Sequence, residues 1–456
     1  MAQAAEQDQE DKAPPRRRPM SRLAVVIYTL CWSVLLCFGL LVAIMQDRML
    51  PVPEPLREKL TQVLNADRTL PIVRFSRAEL GLTELFHPQL VLHGVQFSDG
   101  QTGAGVQFGA LDVVIHGPAL LFGQIAPRSL TLSDAFVDLR RRLDGSFDLG
   151  FVISANSTGV GSLDEILDAT EDFFDREDFR HLTEARLDQL TVNYTDRVTK
   201  RAWTFDGGRF SARRANGLMT LRGDLALLAG GGELATLGLF YNATGPGAGT
   251  LGAEFDNVPA QDLAVQSKAL TWLNFVDGNL SGSFRSTRAE GKVGKLNALL
   301  DFGAGTLSAG PESYPVSYSK AKTYFTYDPK RARLDISLAS IKSDWGALSA
   351  EGYALLQLGG SSQRSSSGMV LHLDVDSAVF DKTPWWPEPL RVTAASGQVK
   401  LNYDPLTLDL GLLQAEVNGT DLSLSGTAAL TPLGWSFDGQ GRVPSVDTQT
   451  VLTLWP

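Results

Sequence analysis

The first pattern along the chain is an uninterrupted apolar run near its N-terminus. Residues 23–45 (LAVVIYTLCWSVLLCFGLLVAIM) contain no charged side chain. As a helix this run would be about 34 Å long, enough to cross the roughly 30 Å hydrocarbon core of a bilayer. It is long for the apolar core of a signal peptide, and no small-residue cleavage site follows it. The pattern therefore predicts a retained single-pass transmembrane helix over 23–45.

The charges on either side of this run predict its orientation. Four arginines lie within residues 16–22, whereas Arg48 is the only basic residue in the ten positions after the run. Because positive charge favours the cytoplasmic side, we expect residues 1–22 in the cytoplasm and residues 46–456 across the membrane. The first 22 residues are mostly polar and charged, so we predict a disordered cytoplasmic tail.

The pattern changes twice beyond the apolar run. Residues 46–70 contain a proline-punctuated linker and then apolar residues at helical spacing from Leu56 to Leu64, which predicts a juxtamembrane helix. After Pro71, apolar residues alternate with polar or small ones, and glycines separate the alternating stretches. Alternation with period two is typical of antiparallel strands with one apolar face. We predict an N-terminal β-meander over 71–160.

Residues 161–190 interrupt the alternation. Apolar residues fall there at helical spacing, and Ser162 with Glu165 forms a capping box, so we predict a helical insertion of one or two amphipathic helices. The eight acidic residues between Asp164 and Asp178 fit either a cation site or a solvated helix face. Because the spacing and the glycine of an EF-hand loop are missing, we favour the solvated face.

From residue 191 to 456 the alternation returns with weak internal repetition. Tyr327-Asp328-Pro329 precedes two alternating stretches, and Tyr403-Asp404-Pro405, seventy-six residues later, precedes a similar pair. Each unit is a meander that cannot bury its apolar face alone, so stacked units favour one long continuous sheet. We therefore predict a mainly β protein built on an elongated antiparallel sheet of stacked meanders, with a repetitive β-region over 191–456.

Composition and motifs exclude several functions. The formal net charge of −10 argues against nucleic acid as a partner. Cys31 and Cys37 both lie inside the apolar run, so no disulfide or cysteine metal site can form beyond it. The five histidines lack metal-ligand spacing, and the glycine pattern over 247–252 lacks the strand and helix of a dinucleotide site, which favours a hairpin loop. We predict no catalytic residue, no cofactor and no metal site, and hence no enzyme.

The remaining candidate for function is the apolar face of the predicted sheet. In a sandwich such a face packs against a second sheet, whereas in a single curved sheet it forms a trough that can hold acyl chains. The alternation leaves both interpretations open, and core packing is the commoner outcome. The inward positions that we select as lipid-groove candidates are Leu334, Ile336, Leu338, Leu371, Leu373, Val375, Leu408, Leu410, Leu422 and Leu424.

Three stretches carry a resemblance to a known family. The first is PRSLTLSDAFVDLR at 127–140 followed by LDGSFDL at 143–149, and the second is FDNVP at 255–259 leading to GNLSG at 278–282. The third is the repeated Tyr-Asp-Pro meander together with the ending at Val446–Pro456. In this order, and over most of the chain, they resemble the AsmA-like superfamily of bacterial envelope proteins.

The resemblance implies a location, a fold and a function. It implies one N-terminal helix in the bacterial inner membrane, with the N-terminus cytoplasmic and residues 46–456 in the periplasm. It also implies a long β-groove of the bridge-like lipid-transfer type, which supports phospholipid transport to the outer membrane and envelope integrity. The expected partners are therefore the membrane, phospholipid and further envelope proteins. The family supplies no catalytic residues.

Further expectations concern the C-terminus of the chain, the edges of the sheet and one tryptophan pair. Members of the family are usually longer, so we expect this chain to be incomplete at its C-terminus or to be completed by other chains. A competing hypothesis is a structural or assembly scaffold that pairs with envelope proteins through its sheet edges. The Trp385-Trp386-Pro387 segment fits core packing first and an interface contact second.

Overall fold

The computed structural model describes most of the chain beyond the N-terminal tail. The described residues are 22–46, 48–65, 72–83, 87–98, 105–143, 147–149, 163–197, 201–228, 234–264, 268–308, 313–357, 368–381, 388–403, 405–431 and 434–446. The predicted tail up to residue 21, the Trp385-Trp386-Pro387 segment and residues 447–456 lie outside them.

The helices are few and mostly short. They are α1 (Arg22–Gln46), α2 (Glu54–Leu64), α3 (Gly117–Leu121), α4 (Leu163–Asp175) and α5 (Ala260–Ala264), with 3₁₀ helices at Glu177–Phe179 and Lys268–Phe275. The bounds of α1 exceed the predicted helix by one residue at each end. The side chains of residues 22–25, 38 and 41–46 of α1 lie outside the described set. Among the described residues, no helix is both long and apolar enough to cross a membrane.

Strands make up most of the described chain. In the first part they are β1 (Leu50–Pro51), β2 (Ile72–Arg74), β3 (Arg77–Leu82), β4 (Pro88–Ser98), β5 (Gly105–Ile115), β6 (Pro127–Arg141), β7 (Phe147–Leu149), β8 (Glu184–Asp196), β9 (Arg201–Ala215), β10 (Leu218–Leu228), β11 (Leu234–Gly245) and β12 (Ala248–Pro259). In the second part they are β13 (Val276–Asp277), β14 (Asn279–Ala289), β15 (Lys292–Phe302), β16 (Gly305–Leu307), β17 (Val316–Asp328), β18 (Arg333–Ser343), β19 (Gly346–Gln357), β20 (Gly368–Phe380), β21 (Leu390–Tyr403), β22 (Leu406–Val417), β23 (Thr420–Thr431) and β24 (Gly434–Arg442).

All 24 strands of the described chain belong to one sheet that does not close on itself. Most strands pair with their neighbours in sequence, and the short strands β2, β7, β13 and β16 lie beside this single file. With neighbouring strands about 4.8 Å apart, a file of about twenty strands is roughly 90 Å long. The elongated mainly β architecture predicted from the alternation is therefore confirmed.

The predicted purely antiparallel arrangement is wrong at one place. β6 and β8 pair in parallel, with Ser129 opposite Glu184 and Arg141 opposite Asp196, so the sheet is mixed. Two parallel neighbours need a crossover that returns the chain to the starting end, and α4 lies within that connection. β8 begins before the end of the predicted 161–190 insertion, because Ala185 and Leu187 already follow the alternation of the sheet.

Apolar residues occupy one face of the sheet over nearly its whole length. Cross-strand partners form one row, which runs through Ala78, Leu92, Leu111, Leu132, Leu187, Phe210, Gly223, Leu239, Ala253, Phe284, Ala298, Phe325, Ile336, Gly352, Leu373 and Gly397. Gly223 is required in this row, because an added Cβ would lie 2.4 Å from the Phe210 ring. We call this surface the apolar face.

Many of the strand ladders contain β-bulges. Two of them place a residue other than glycine at positive φ, namely Gln189 (55°) and Asn257 (56°). The register shifts beside Gln189 and Asn257, where two residues of one strand oppose fewer residues of its partner. A bulge bends its strand and increases the local twist. A bulge also reverses the alternation of the side chains that follow it. The apolar residues after a bulge therefore lie on the apolar face although their spacing from the earlier ones is odd.

Three groups of helices cover parts of the apolar face. α2 packs Leu60 and Leu64 onto the cluster around Leu92, Val95 and Phe108. α4 packs on a second cluster that includes Tyr241, and α5 with the second 3₁₀ helix packs on a third that extends from Leu139 to Leu371. All described strands belong to this one sheet, so no second sheet among them covers the apolar face.

Candidate functional site

Nine of the ten selected positions lie on the apolar face. Leu334 of β18 is opposite Ala354, which is opposite Leu371 of β20, and the same row continues through Val399 to Leu410. The neighbouring row contains Ile336 and Leu373. The other positions on this face follow from alternation along the same strands and across the β22–β23 ladder, and they are Val375, Leu408, Leu422 and Leu424.

Leu338 lies differently from the other nine. The register shifts on both sides of β18 at this point, and Leu338 is opposite Tyr324, the neighbour of the inward-facing Phe325. The extra residue of the bulge reverses the alternation, so Ala339 and Ile341 take the inward positions instead. Sequence alternation alone does not reveal where such a bulge lies.

An apolar cavity of about 260 Å³ lies on this face between β15 and β20. Leu334, Ile336 and Leu371 line it, as does Trp272 of the second 3₁₀ helix. The Trp272 ring lies 6.2 Å from the ring of Phe302, measured between centroids, so the indole covers the cavity from above the sheet. The volume is slightly below the roughly 300–1,000 Å³ typical of small-molecule pockets.

Sequence reasoning missed the aromatic part of this lining. Phe302, Tyr318 and Phe325 all contribute to the cavity. Alternation along β17 was the available signal for Phe325, whereas Tyr318, seven residues earlier, reaches the same face only through the register shift between Tyr318 and Lys320. Tyr318 is buried, and burial, with the nearby Asp277 carboxylate second, raises the pKa of its hydroxyl. An added Cβ at Gly305 would lie 2.6 Å from that hydroxyl, so glycine is needed beside the ring.

The apolar face continues past the cavity without a comparable cover. Along β21 to β23 most inward positions are half-buried while most of their neighbours are exposed, and Leu424 is 37 % exposed. Phe437 of β24, on the same face, is 76 % exposed. The covering 3₁₀ helix reaches β21 through the Phe275 and Tyr403 rings, 5.7 Å apart, and burial raises the pKa of Tyr403 to about 12.

The opposite face of the same strands is polar. Arg333 pairs with Asp335 at 2.6 Å, and its guanidinium lies 4.0 Å from the centre of the Tyr353 ring. Tyr353 in turn stacks on His372 at a centroid distance of 4.4 Å. Asp335, Tyr353 and His372 are cross-strand partners, one residue away from the inward row. The sheet is therefore apolar on one face and polar on the other.

A buried arginine lies under α4, at one end of the apolar face. The Arg288 side chain is 0 % exposed and faces three carboxylates of α4. It pairs with Asp168, donates to Glu171 at 3.3 Å and lies 3.8 Å from Asp164. The Tyr241 hydroxyl donates to Glu171 at 3.0 Å, and burial raises its pKa. Part of the acidic surface predicted to be solvated thus pairs with the sheet instead.

Three histidines that are distant in sequence come together at one end of the sheet. The rings of His87 and His116 are 6.2 Å apart and those of His116 and His181 are 4.5 Å apart, both pairs stacked. Arg128 contacts His87, and Arg180 Nε donates to His181 at 3.1 Å. No group of three or more metal-ligating side chains with suitable geometry occurs among the described residues. The three rings form a stacked cluster.

Acidification below neutral pH is expected to destabilise this end of the sheet. Burial lowers the pKa of His87 and of His116 from 6.5, and Arg128 lowers both further, as does His181 for His116. The unfolded chain then binds more protons than the folded one, so stability is complete above 6.5 and falls as the pH drops below that value. Melting followed by circular dichroism at about pH 7.5 and about pH 5.5 measures this loss. A His116→Gln variant should lose less, and equal losses in both proteins would contradict the assignment.

The glycine pattern at 247–252 occupies the hairpin between β11 and β12, where β11 ends at Gly245 and β12 begins at Ala248. The two Tyr-Asp-Pro copies also mark equivalent hairpins, since β17 ends at Asp328 and β21 at Tyr403. The repeats of the sequence therefore correspond to hairpins in the sheet.

Three comparisons of this chain with known proteins found no match. No family model, no curated protein and no solved structure matches this chain. The geometry of the site is therefore the basis for its function.

Proposed function

We propose that this protein binds or conducts phospholipid along its apolar face, as an inner-membrane-anchored periplasmic protein that supports lipid transport to the outer membrane and envelope integrity. The observation that carries the proposal is the single sheet with one continuous apolar face and, among the described strands, no second sheet over it. Its resemblance to the AsmA-like superfamily supports the same function.

The bulges support a curved groove rather than a flat sheet. They recur in many ladders, and each bends its strand and adds twist. Curvature toward the apolar side would shield acyl chains from water while the polar side faces solvent. A groove of this kind would leave most inward side chains of β20 to β24 free to contact lipid, because all but a few, such as Ala378, Val417 and Ala428, are half-buried or exposed.

The free energy of burying methylene groups favours an apolar ligand, such as an acyl chain, without requiring one particular shape. Each methylene that leaves water contributes about 0.8 kcal/mol, so a few methylenes on the face give appreciable affinity without polar contacts. Ile336 and Leu371 supply aliphatic contacts inside the cavity, and Leu408 and Leu424 extend them toward β24. A smooth apolar path also lets chains move, because no single contact is strong.

The anchor is part of the proposal. α1 is a helix of 25 residues whose sequence contains the apolar run at 23–45, and it contacts β3 at the first edge of the sheet. The arginines before the run favour a cytoplasmic N-terminus, which supports a periplasmic location for the sheet. A lipid groove that begins beside a membrane helix can exchange lipid with the same bilayer.

A scaffold that pairs with envelope proteins is the second candidate. Among the described strands, β24 pairs only with β23, so its other edge is free for an added strand. Trp435 and Phe437 stack there with their ring centres 6.2 Å apart. A scaffold would tolerate polar residues in the cavity, whereas a lipid groove would not.

A charge placed in the cavity is expected to remove bound phospholipid. Leu371→Glu puts a carboxylate on the lining, while Val370→Glu puts the same group one residue away, opposite Leu355 and Lys400 on the polar face. If the carboxylate displaces about two methylenes of lipid, it costs about 1.6 kcal/mol, which is more than tenfold in occupancy. Native mass spectrometry of the full chain released from mild detergent measures the occupancy.

The matched pair separates the two candidates. Lipid that is retained by Val370→Glu and lost by Leu371→Glu supports the groove. Equal lipid content in wild type and both variants, with circular dichroism showing a folded sheet, would contradict it and favour the scaffold.

A further inference from the structure

A short loop at one end of the sheet exposes large apolar side chains. It comprises α3 and residues 122–126, between β5 and β6. Phe122 is 85 % exposed, Ile125 is 73 % exposed and Leu120 is 39 % exposed. We call these three residues the apolar tip. An isolated exposed apolar residue is ordinary, but three in one ordered loop mark an interaction surface.

Hydrogen bonds fix the backbone of the loop, so the exposure of these three side chains is a feature of its folded conformation. His116 N donates to the Ala126 carbonyl at 2.8 Å and closes the loop at its base. Gln124 N donates to the Ala119 carbonyl at 3.1 Å, and the Gln124 side chain accepts from Arg180 Nη2 at 2.8 Å. Ala119 and Ala126 are buried beneath. Among the described side chains of the loop, Ala119 and Ala126 thus point inward, whereas Leu120, Phe122 and Ile125 point outward.

The apolar tip lies at the end of the sheet where the chain arrives from α1. Met49 packs on Gly81, so closely that a Cβ there would lie 2.6 Å from the Met49 sulfur. Gly81 is opposite Gln89, Gln89 is opposite Val114, and Ile115 is opposite Pro127. The turn from β5 to β6 therefore emerges at the same end as Met49, which is itself 41 % exposed.

We propose that the apolar tip inserts into the interfacial region of the bilayer that holds α1, and so sets the end of the apolar face against that membrane. This rests on the proposed function, which places α1 in the inner membrane. The side chains are of the types that partition into an interface, since Phe and Ile bury apolar area there and Met49 and Leu50 lie at the same end.

The neighbouring charges fit the headgroup layer. Arg128 is the second residue of β6, directly after the loop, and Arg180 donates to Gln124, so two cations lie beside the tip. The acidic Glu177 and Asp178 lie in the 3₁₀ helix that precedes Arg180. Mixed charge with a predominantly apolar tip favours shallow insertion by hydrophobic burial over attraction to anionic lipid. Insertion would fix the sheet at two points, α1 and the tip.

Depth-dependent quenching in proteoliposomes tests the proposal on the full chain. With Cys31→Ser and Cys37→Ser as background, a cysteine replaces Phe122 or Ile125 and carries an environment-sensitive fluorophore, with spin-labelled phosphatidylcholine as the quencher. Leu143→Cys is the control, because Leu143 is 80 % exposed but follows the far end of β6. Because β6 has 15 residues, Leu143 lies about 50 Å from the apolar tip. Native Cys37, labelled in a Cys31→Ser chain, reports insertion of α1.

The expected result is quenching at positions 122, 125 and 37 and none at 143. Quenching at 37 without quenching at 122 and 125 would overturn the proposal and leave the lipid groove untouched. An unquenched label at 37 would overturn the anchor on which the proposal rests. Lipid occupancy measured separately with Leu371→Glu and Val370→Glu shows whether the groove itself fails, so the two failures are distinguishable.

Discussion

Neutralising the three carboxylates around Arg288 is expected to release α4 from the sheet. The variant is Asp164→Asn with Asp168→Asn and Glu171→Gln. It leaves the Arg288 guanidinium, which is 0 % exposed, without a countercharge on an otherwise apolar surface. Removing one side of a buried ion pair costs about 3–5 kcal/mol. Since the Asp168 side chain is 55 % exposed and partly screened, the lower end, about 3 kcal/mol, applies.

Hydrogen exchange read by mass spectrometry is the appropriate measurement, because α4 can leave while the strands stay paired. Amides of α4 and of the Glu177–Phe179 turn should exchange faster by about two orders of magnitude, which corresponds to about 3 kcal/mol of local stability. Amides of β22 and β23, which lie far from α4 along the sheet, serve as an internal reference and should not change.

Adding Arg288→Met to the triple variant is the control. Methionine removes the uncompensated charge and fills the same buried space with a flexible apolar side chain, so protection of α4 should return toward the wild-type value. The recovery would show that the loss came from a stranded charge and not from weaker helix propensity. A triple variant with wild-type protection would contradict the assignment, and so would one that Arg288→Met fails to restore.

The regular parts of the fold were predictable because local patterns determine them. Alternation identified the strands and their shared apolar face, and helical spacing identified α4, whose observed start at Leu163 follows the predicted capping box. The hairpins at 247–252 and after Tyr327 also follow from short-range signals. These features need only residues that are close in sequence.

The features that were missed depend on partners that are distant in sequence. Asp168 and Arg288 are 120 residues apart, so an acidic helix face gives no sign of the cation beneath it. The parallel pairing of β6 with β8 depends on where the chain re-enters the sheet after α4. Leu338 does not lie on the apolar face because β18 contains a bulge there, and the sequence of β18 does not indicate that bulge. His87, His116 and His181 meet only through strand order.

The largest contrast in lipid contact is expected between adjacent residues of β22. Leu408 and Leu410 face the apolar side, where Leu408 is opposite Leu401 and Ala428. Thr407, which precedes Leu408, and Asp409, which lies between Leu408 and Leu410, face the polar side. Asp409 is opposite Lys400. Because side chains alternate strictly along this part of the strand, a shift of one residue moves a probe across the sheet.

β22 is a favourable strand for this comparison. Its inward side chains are half-buried, so a bulky probe fits there without the overpacking that the cavity between β15 and β20 would impose. It also lies beyond the Phe275–Tyr403 contact, where the face has no extensive cover among the described residues. A signal from β22 therefore shows that lipid travels past the cavity.

The measurement is photo-crosslinking in intact membranes containing radiolabelled phospholipid, with a benzophenone amino acid placed singly at 407, 408, 409 or 410 of the full chain. A lipid path along the apolar face predicts labelled protein from positions 408 and 410 and none from 407 and 409. Equal labelling at all four positions, or labelling at none while each variant is folded and membrane-bound, would contradict it.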